Sequence, residues 1–196
     1  MTNFEDASLA CDLGADAVGF IVYQKSSRYI EAAAAADIAR RLPERVLKVL
    51  VGVNLTDVEL KKIEYVWTPD LWQLHGSETA EQVKSFKPRR LWKALGLPLE
   101  EGLELESYDV EALLLDKASP SHGGTGRTFD WDLALELKKK VQKPILLSGG
   151  LNPNNVVEAI QKVQPWGVDV ASGVEASPGR KDPEKLREFI RLCLTQ

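Results

Sequence analysis

Residues 144–171, PILLSGGLNPNNVVEAIQKVQPWGVDVA, contain a complete strand–helix–strand unit. Residues 144–148 and 167–171 are short and almost continuously apolar, which is typical of strands buried on both faces of a parallel sheet. Between them, Asn152-Pro153 supplies an N-cap and a first helical turn for an amphipathic helix over residues 154–163. The segment therefore predicts two parallel strands joined by a crossover helix.

The same alternation of apolar runs and amphipathic stretches continues through the rest of the chain. The apolar runs predict seven strands, which are Ala17–Val22, Leu47–Val53, Leu71–His75, Leu91–Leu95, Ala112–Asp116, Pro144–Ser148 and Gly167–Ala171. The amphipathic stretches predict helices at Glu31–Leu42, Leu55–Tyr65, Glu78–Phe86, Asp130–Val141, Asn154–Val163 and Pro183–Leu194. A further helix is predicted at the start, where Thr2–Glu5 fits a capping box. Strands that alternate with helices in this way indicate βαβ units.

The spacing of the predicted strands indicates one particular α/β architecture. The strands begin about 25 residues apart on average, which is close to the repeat of a (β/α)8 TIM barrel. Such a barrel needs eight strands, and only seven are visible. The chain begins with a helix, and one repeat before Ala17 falls upstream of Met1. We therefore expect a single domain over residues 1–196, a TIM barrel whose first β-strand is missing from this chain.

Composition excludes several classes of protein. The 196 residues include 25 Lys and Arg and 29 Asp and Glu, and the net charge of −4 does not favour binding to a nucleic-acid backbone. No apolar run is long enough to span a membrane, and the N-terminus does not resemble a secretory signal. Cys11 and Cys193 are too few and too far apart to suggest a disulfide framework or a metal site. We expect a soluble, cytoplasmic protein.

Polar and glycine-rich segments follow the predicted strands, where a barrel carries its active site. They are GADAVGFIVYQKSSRYI (14–30), QLHG (73–76), LLLDKASPSHGGTGRTFDW (113–131), LLSGGLNPNNV (146–156) and VDVASGVEASPGRKD (168–182). In this order and spacing, the segments closely resemble the phosphoribosylanthranilate isomerase family of tryptophan biosynthesis. The resemblance covers essentially the whole chain, from Thr2 to the C-terminal helix.

The resemblance implies an intramolecular oxidoreductase, an aldose–ketose isomerase that carries out an Amadori rearrangement. Its substrate is N-(5-phosphoribosyl)anthranilate, and its product is 1-(o-carboxyphenylamino)-1-deoxyribulose 5-phosphate. No cofactor or metal is implied. The expected partner is this small molecule, with no nucleic acid or membrane, and the protein is expected to be a monomer or a homodimer.

Asp116 is the predicted general acid. It ends a buried strand, where a carboxyl group partly shielded from water can have a raised pKa and protonate the opening furanose ring. The resemblance assigns the matching Asp this role, and the alternative is a helix-capping or loop residue. His75 either contacts a substrate hydroxyl or makes a structural hydrogen bond. Asp169 alternates with apolar residues, so an inward carboxyl there needs polar partners.

The remaining predicted site residues bind the two ends of the substrate. The resemblance assigns Arg28 to the anthranilate carboxylate, which a guanidinium can hold through two parallel hydrogen bonds; a solvated loop residue is the alternative. Gly149 and Gly150, with Ser172 and Gly173, end the last two predicted strands and are expected to bind phosphate rather than only to form turns. Residues 123–126, Gly-Gly-Thr-Gly, are interpreted as a mobile lid.

The departure from the family lies at the N-terminus. There the family has Ile-Cys-Gly-Ile-Thr followed by Asn-x-Glu-Asp-Ala, and Met1 stands where the last Ile of that motif would be. The cysteine that serves the family as general base is therefore absent from this chain. Cys11 falls inside the first predicted helix and Cys193 inside the last, and both are expected to be small core residues.

Two interpretations of this departure remain. A late start assignment for the gene would hide the first strand, whereas a genuine seven-strand chain would be an inactive fragment or a non-catalytic phosphate-ligand-binding barrel. We favour the late start, and the activity of the chain as given stays open. Another ribose-phosphate barrel, such as an epimerase, would need metal-binding histidines at strand ends, where only His75 is available.

Overall fold

The computed structural model describes residues 1–99, 102–117 and 130–196. The strands are β1 (Ala17–Ile21), β2 (Leu47–Gly52), β3 (Leu71–Leu74), β4 (Leu91–Leu97), β5 (Ala112–Lys117), β6 (Ile145–Leu147), β7 (Gly167–Val168), β8 (Glu175–Ser177) and β9 (Arg180–Lys181). The helices are α1 (Phe4–Leu13), α2 (Ala32–Ala39), α3 (Asp57–Val66), α4 (Ala80–Ser85), α5 (Trp131–Lys140), α6 (Val156–Val163) and α7 (Pro183–Leu194). Every predicted strand and helix is present, with bounds that differ by at most a few residues.

Strands β1 to β7 form one parallel sheet in chain order, which confirms the predicted α/β class. Each strand pairs in parallel with the next, from Ala17 opposite Leu47 in β1 and β2 to Leu147 opposite Val168 in β6 and β7. The connections each contain a helix or a longer loop, as parallel pairing requires. Among the described residues, β1 and β7 each have one neighbour in the sheet, so the sheet has two edges.

Burial on both faces explains why the strands read as continuous apolar runs. On one face, alternate strand residues pack with the helices in a large core that includes Phe20, Leu50 and Leu113. The intervening residues form the second face, which we call the inner face. Its apolar cluster of buried residues consists of Val49, Val51, Leu71, Trp92, Ala94, Ala112, Leu114 and Leu146.

Two predicted helix starts are wrong in detail. The N-cap of α1 is Asn3, whose side chain accepts from the Asp6 backbone N–H at 2.9 Å, so Thr2 does not begin a capping box. Asn152 does not cap α6, because its side chain accepts from the Asn154 N–H at 2.9 Å within a turn that precedes the helix. Threonine and asparagine side chains can both accept from nearby backbone N–H groups in caps and in turns, so the short motif did not fix which residue caps each helix.

The sequence analysis missed the short antiparallel hairpin formed by β8 and β9. Its strands contain only two or three residues, too few to show a period of two. The turn between them places Gly179 at φ +81°, and a side chain there is strained because this backbone region favours glycine. The Thr2 hydroxyl donates to the Gly179 carbonyl, so the hairpin is tied to the start of the chain.

No helix within the described residues is both long and apolar enough to cross a membrane.

Candidate active site

A layer of polar side chains lies on the inner face at the carboxyl ends of the strands. Its members are Gln73, His75, Asp116, Ser148 and Asp169. Each follows an inner-face residue two positions earlier, as the period of two along a strand requires. The carboxyl ends of parallel strands meet at one edge of the sheet, and ligands bind there in this class of fold. The sheet therefore collects residues from four separate strand ends into one site.

His75 and Asp116 form a hydrogen-bonded pair in this layer. The Gln73 amide nitrogen donates to His75 Nδ1 at 3.1 Å, and His75 Nε2 lies 3.2 Å from Asp116 Oδ2. With Nδ1 accepting, Nε2 carries the ring proton and donates to the Asp116 carboxylate. The other carboxylate oxygen, Oδ1, accepts from the Lys117 backbone N–H at 2.7 Å.

Asp169 has the polar partner that its interior position requires. The Ser148 hydroxyl donates to Asp169 Oδ2 at 2.9 Å. The Asp169 residue as a whole is half-buried, but its carboxyl group is surrounded by protein atoms. This loss of solvation raises the pKa of the carboxyl group. The negative charge of Asp116 raises the pKa further, whereas the Ser148 hydrogen bond opposes the shift. Asp169 is thus a carboxyl group that keeps a proton more readily than a free aspartate does.

The two glycine-containing loops after β6 and β7 pack against each other. Gly149 and Gly150 both have φ +78°, which lets the chain turn sharply after the strand. A Cβ on Gly173 would lie 1.8 Å from the Leu151 carbonyl oxygen, so only glycine permits this approach. Ser172–Val174 forms a single 3₁₀ turn. The structure therefore brings the two segments predicted to bind phosphate into contact.

Arg28, in the loop after β1, is paired within the protein rather than solvated. Its Nε donates to Glu175 Oε1 at 2.8 Å, and its Nη2 donates to Glu175 Oε2 at 2.7 Å. The Arg28 and Glu175 side chains are only 15% and 6% exposed. Lys181 Nζ lies 3.6 Å from Glu175 Oε1, and burial lowers the Lys181 pKa. Sequence reasoning missed Glu175, although it stands two residues after the predicted phosphate segment.

Neither cysteine lies on the inner face of the sheet, and neither has a pKa that suits a base. Cys11 is buried in α1 and Cys193 lies in α7, so both belong to the helix layer and not to the inner face. Burial raises the pKa of the Cys11 thiol, and it raises the pKa of Cys193 to about 11. A raised pKa keeps sulfur as the unreactive thiol.

Two other predictions concern the surroundings of the site. Residues 123–126, predicted to form a lid, lie outside the described residues. In the portion of the chain that the structure describes, no group of three or more His, Cys, Asp or Glu side chains is arranged to hold a metal ion.

Comparison with known proteins identifies the family to which this chain belongs. A family model described as N-(5′-phosphoribosyl)anthranilate (PRA) isomerase matches residues 1–192. An N-(5′-phosphoribosyl)anthranilate isomerase of Pelobacter propionicus is 47% identical over 195 residues, which are 98% of this chain and 92% of that protein.

Solved structures agree with the sequence relatives. The crystal structure of phosphoribosylanthranilate isomerase from Thermotoga maritima has a TM-score of 0.90 at 40% identity and covers 100% of this chain and 96% of that chain. A second isomerase structure, in complex with reduced 1-(o-carboxyphenylamino)-1-deoxyribulose 5-phosphate, has a TM-score of 0.87 at 37% identity, with the same coverage. None of these similarities supports the alternative of a non-catalytic binding protein. The chain therefore belongs to the N-(5′-phosphoribosyl)anthranilate isomerase family, whose members are isomerases of tryptophan biosynthesis.

Proposed function

We propose that this protein converts N-(5-phosphoribosyl)anthranilate into 1-(o-carboxyphenylamino)-1-deoxyribulose 5-phosphate, with Asp116 as the general acid. The observation that carries the proposal is the His75–Asp116 pair, with its 3.2 Å contact, in the polar layer at the strand ends. The glycine loops lie beyond β6 and β7, and Arg28 lies beyond β1. This arrangement suits a substrate with phosphate at one end, carboxylate at the other and the sugar between them.

The first half of the reaction opens the furanose ring. In its protonated form, Asp116 gives a proton to the ring oxygen as the bond between that oxygen and C1′ breaks, which leaves a protonated imine between C1′ and the anthranilate nitrogen. The His75–Asp116 pair supports this step, because the hydrogen bond holds the Asp116 carboxyl group in place at the strand ends. A direct contact between His75 and a substrate hydroxyl stays a prediction, since both ring nitrogens already have protein partners.

The two ends of the substrate are held by separate parts of the site. Gly149, Gly150, Ser172 and Gly173 bind the phosphate, because small residues let backbone N–H groups approach it closely. Their contact through Gly173 and Leu151 supports a single binding site formed by both loops. Arg28 binds the anthranilate carboxylate.

The second half of the reaction needs a base, and no residue of this sequence matches the cysteine of the family motif. Removal of the C2′ proton converts the imine into an enol, which becomes the ketone of the product. In the proposed single-domain barrel, an eighth strand lies between β1 and β7 and carries the cysteine that removes this proton as a thiolate. The two edges that the sheet has among the described residues support this proposal.

The test compares two proteins in one assay. The 196-residue chain and the same chain extended by a first strand ending in Ile-Cys-Gly are each mixed with phosphoribosylanthranilate, and the change in anthranilate fluorescence is followed. We expect turnover only in the extended protein. Turnover in both would refute the assignment of the base, and no turnover in either would refute the proposed reaction. A cytoplasmic location and a monomeric or homodimeric state remain predictions.

A further inference from the structure

The Arg28–Glu175 pair has a consequence for substrate recognition. A guanidinium carries five N–H donors along its edges, and a carboxylate can use two of them at once. Glu175 takes the edge formed by Nε and Nη2. The end formed by Nη1 and the second Nη2 proton is left over by Glu175. Among the described residues, Nη1 makes only a long contact of 3.5 Å to the Ser27 hydroxyl.

We propose that Glu175 is a positioning residue that fixes the plane of the Arg28 guanidinium, so that the substrate carboxylate is recognised only through the Nη1–Nη2 end. This inference rests on the proposed role of Arg28 as the carboxylate-binding residue. Glu175 does not touch the substrate in this scheme. It restricts the rotation of a long side chain, so that less freedom is lost when the carboxylate binds.

Glu175 is itself rigidly held, as a positioning residue must be. It begins β8 and lies opposite Lys181 in the hairpin register. The Gly179 N–H donates to its Oε1 at 3.4 Å, and Lys181 Nζ lies 3.6 Å from the same oxygen. Lys181 is anchored in turn, since its Nζ donates to the Ala171 carbonyl at 2.8 Å. The Glu175 carboxylate therefore has little room to move with or away from Arg28.

The position of Glu175 in the chain links the two ends of the substrate site. Only one residue separates it from Gly173, which packs on Leu151 in the predicted phosphate loop. Glu175, which binds Arg28, and Gly173 of the predicted phosphate loop are thus parts of one short segment. This segment sets the distance between phosphate and carboxylate, so it selects ligands that carry both groups at that spacing.

The experiment uses two ligands that differ only in the carboxyl group. One is reduced 1-(o-carboxyphenylamino)-1-deoxyribulose 5-phosphate, and the other is its counterpart without the carboxyl group. Dissociation constants are measured by calorimetry on the 196-residue chain and on Glu175→Gln, Arg28→Met and the double variant. Glu188→Gln is the matched control, because Glu188 makes a similar two-bond pair with Arg191 at the surface.

We expect Glu175→Gln to weaken binding of the carboxylated ligand about tenfold, the order of the net contribution of one hydrogen bond to a charged group, and to leave binding of the other ligand unchanged. In the Arg28→Met background, Glu175→Gln should have no further effect. The Glu188→Gln control should bind both ligands as the parent chain does.

Other outcomes would overturn the inference. Equal losses for both ligands would show that Glu175 only maintains the loop, and tighter binding of the carboxylated ligand would show that Glu175 competes for Arg28. If Arg28→Met leaves binding of both ligands unchanged, the carboxylate assignment of the proposed function fails. If neither the parent chain nor the chain extended by the first strand binds either ligand, the proposed substrate itself is refuted.

Discussion

The buried ion pair between Lys93 and Glu78 should make a large contribution to stability. Lys93 lies in β4, on the face that packs with the helices, and its Nζ is 3.1 Å from Glu78 Oε2. The two side chains are only 2% and 4% exposed. Lys93 also donates to the carbonyls of Gly76 and Ala94, at 2.8 and 2.7 Å. Glu78 accepts from the backbone N–H groups of Asn54 and Gly76.

The change Lys93→Met removes the charge and keeps much of the side-chain volume. It leaves the Glu78 carboxylate without a counter-charge and the Gly76 and Ala94 carbonyls without their donor. Breaking a buried pair by removing one partner costs about 3–5 kcal/mol in the free energy of unfolding. In a chain of this length, the loss corresponds to a decrease in Tm of roughly 6–20 °C.

The assay is urea unfolding followed by circular dichroism, with Arg90→Met as the control. Arg90 stands three residues earlier and makes a two-bond pair with Glu111, but these side chains are 51% and 42% exposed. An exposed pair of this kind contributes about 0–1 kcal/mol, so Arg90→Met should change little. A loss below about 1 kcal/mol for Lys93→Met, or a loss equal to that of the control, would refute the argument from burial.

Three further predictions concern the site. Asp116→Asn, in the protein with the first strand restored, should lower kcat at least about 100-fold, and near-normal turnover would remove Asp116 from the mechanism. Because the pKa of Asp169 is raised in the folded state, the stability that this residue contributes is full below its unfolded-state pKa and is lost as pH rises through its folded-state pKa. In urea titrations, the parent chain should therefore lose stability relative to Asp169→Asn as pH rises between these two pKa values. A difference in stability that stays constant with pH would contradict this. Gly173→Ala puts a Cβ 1.8 Å from the Leu151 carbonyl oxygen, so calorimetry should show binding of both phosphate-carrying ligands weakened at least about tenfold. A loss of binding for the carboxylated ligand alone would contradict phosphate binding at this loop.

The strands and their order were predictable from the sequence because a parallel sheet buried on both faces leaves a local signature. Runs such as residues 112–116 are apolar at nearly every position, and each is followed by a polar residue or a glycine at the carboxyl end. Asp116 could be selected as a site residue for that reason, since a charged residue that ends such a run lies at the edge of the sheet where the carboxyl ends of the strands meet. The helix starts were less certain, because Thr2, Asn3 and Asn152 all have side chains that can cap a helix or a turn.

The amino-acid sequence by itself determined the α/β class, the seven parallel strands and the family, because these depend on residue patterns within short segments. The tertiary structure alone decided which side chains meet. Arg28 and Glu175 are 147 positions apart, and His75 and Asp116 are 41 apart, so no local pattern joins them. Their contacts arise because the parallel strands bring all their carboxyl ends to one edge of the sheet. The partners of a site residue are therefore set by packing across the sheet.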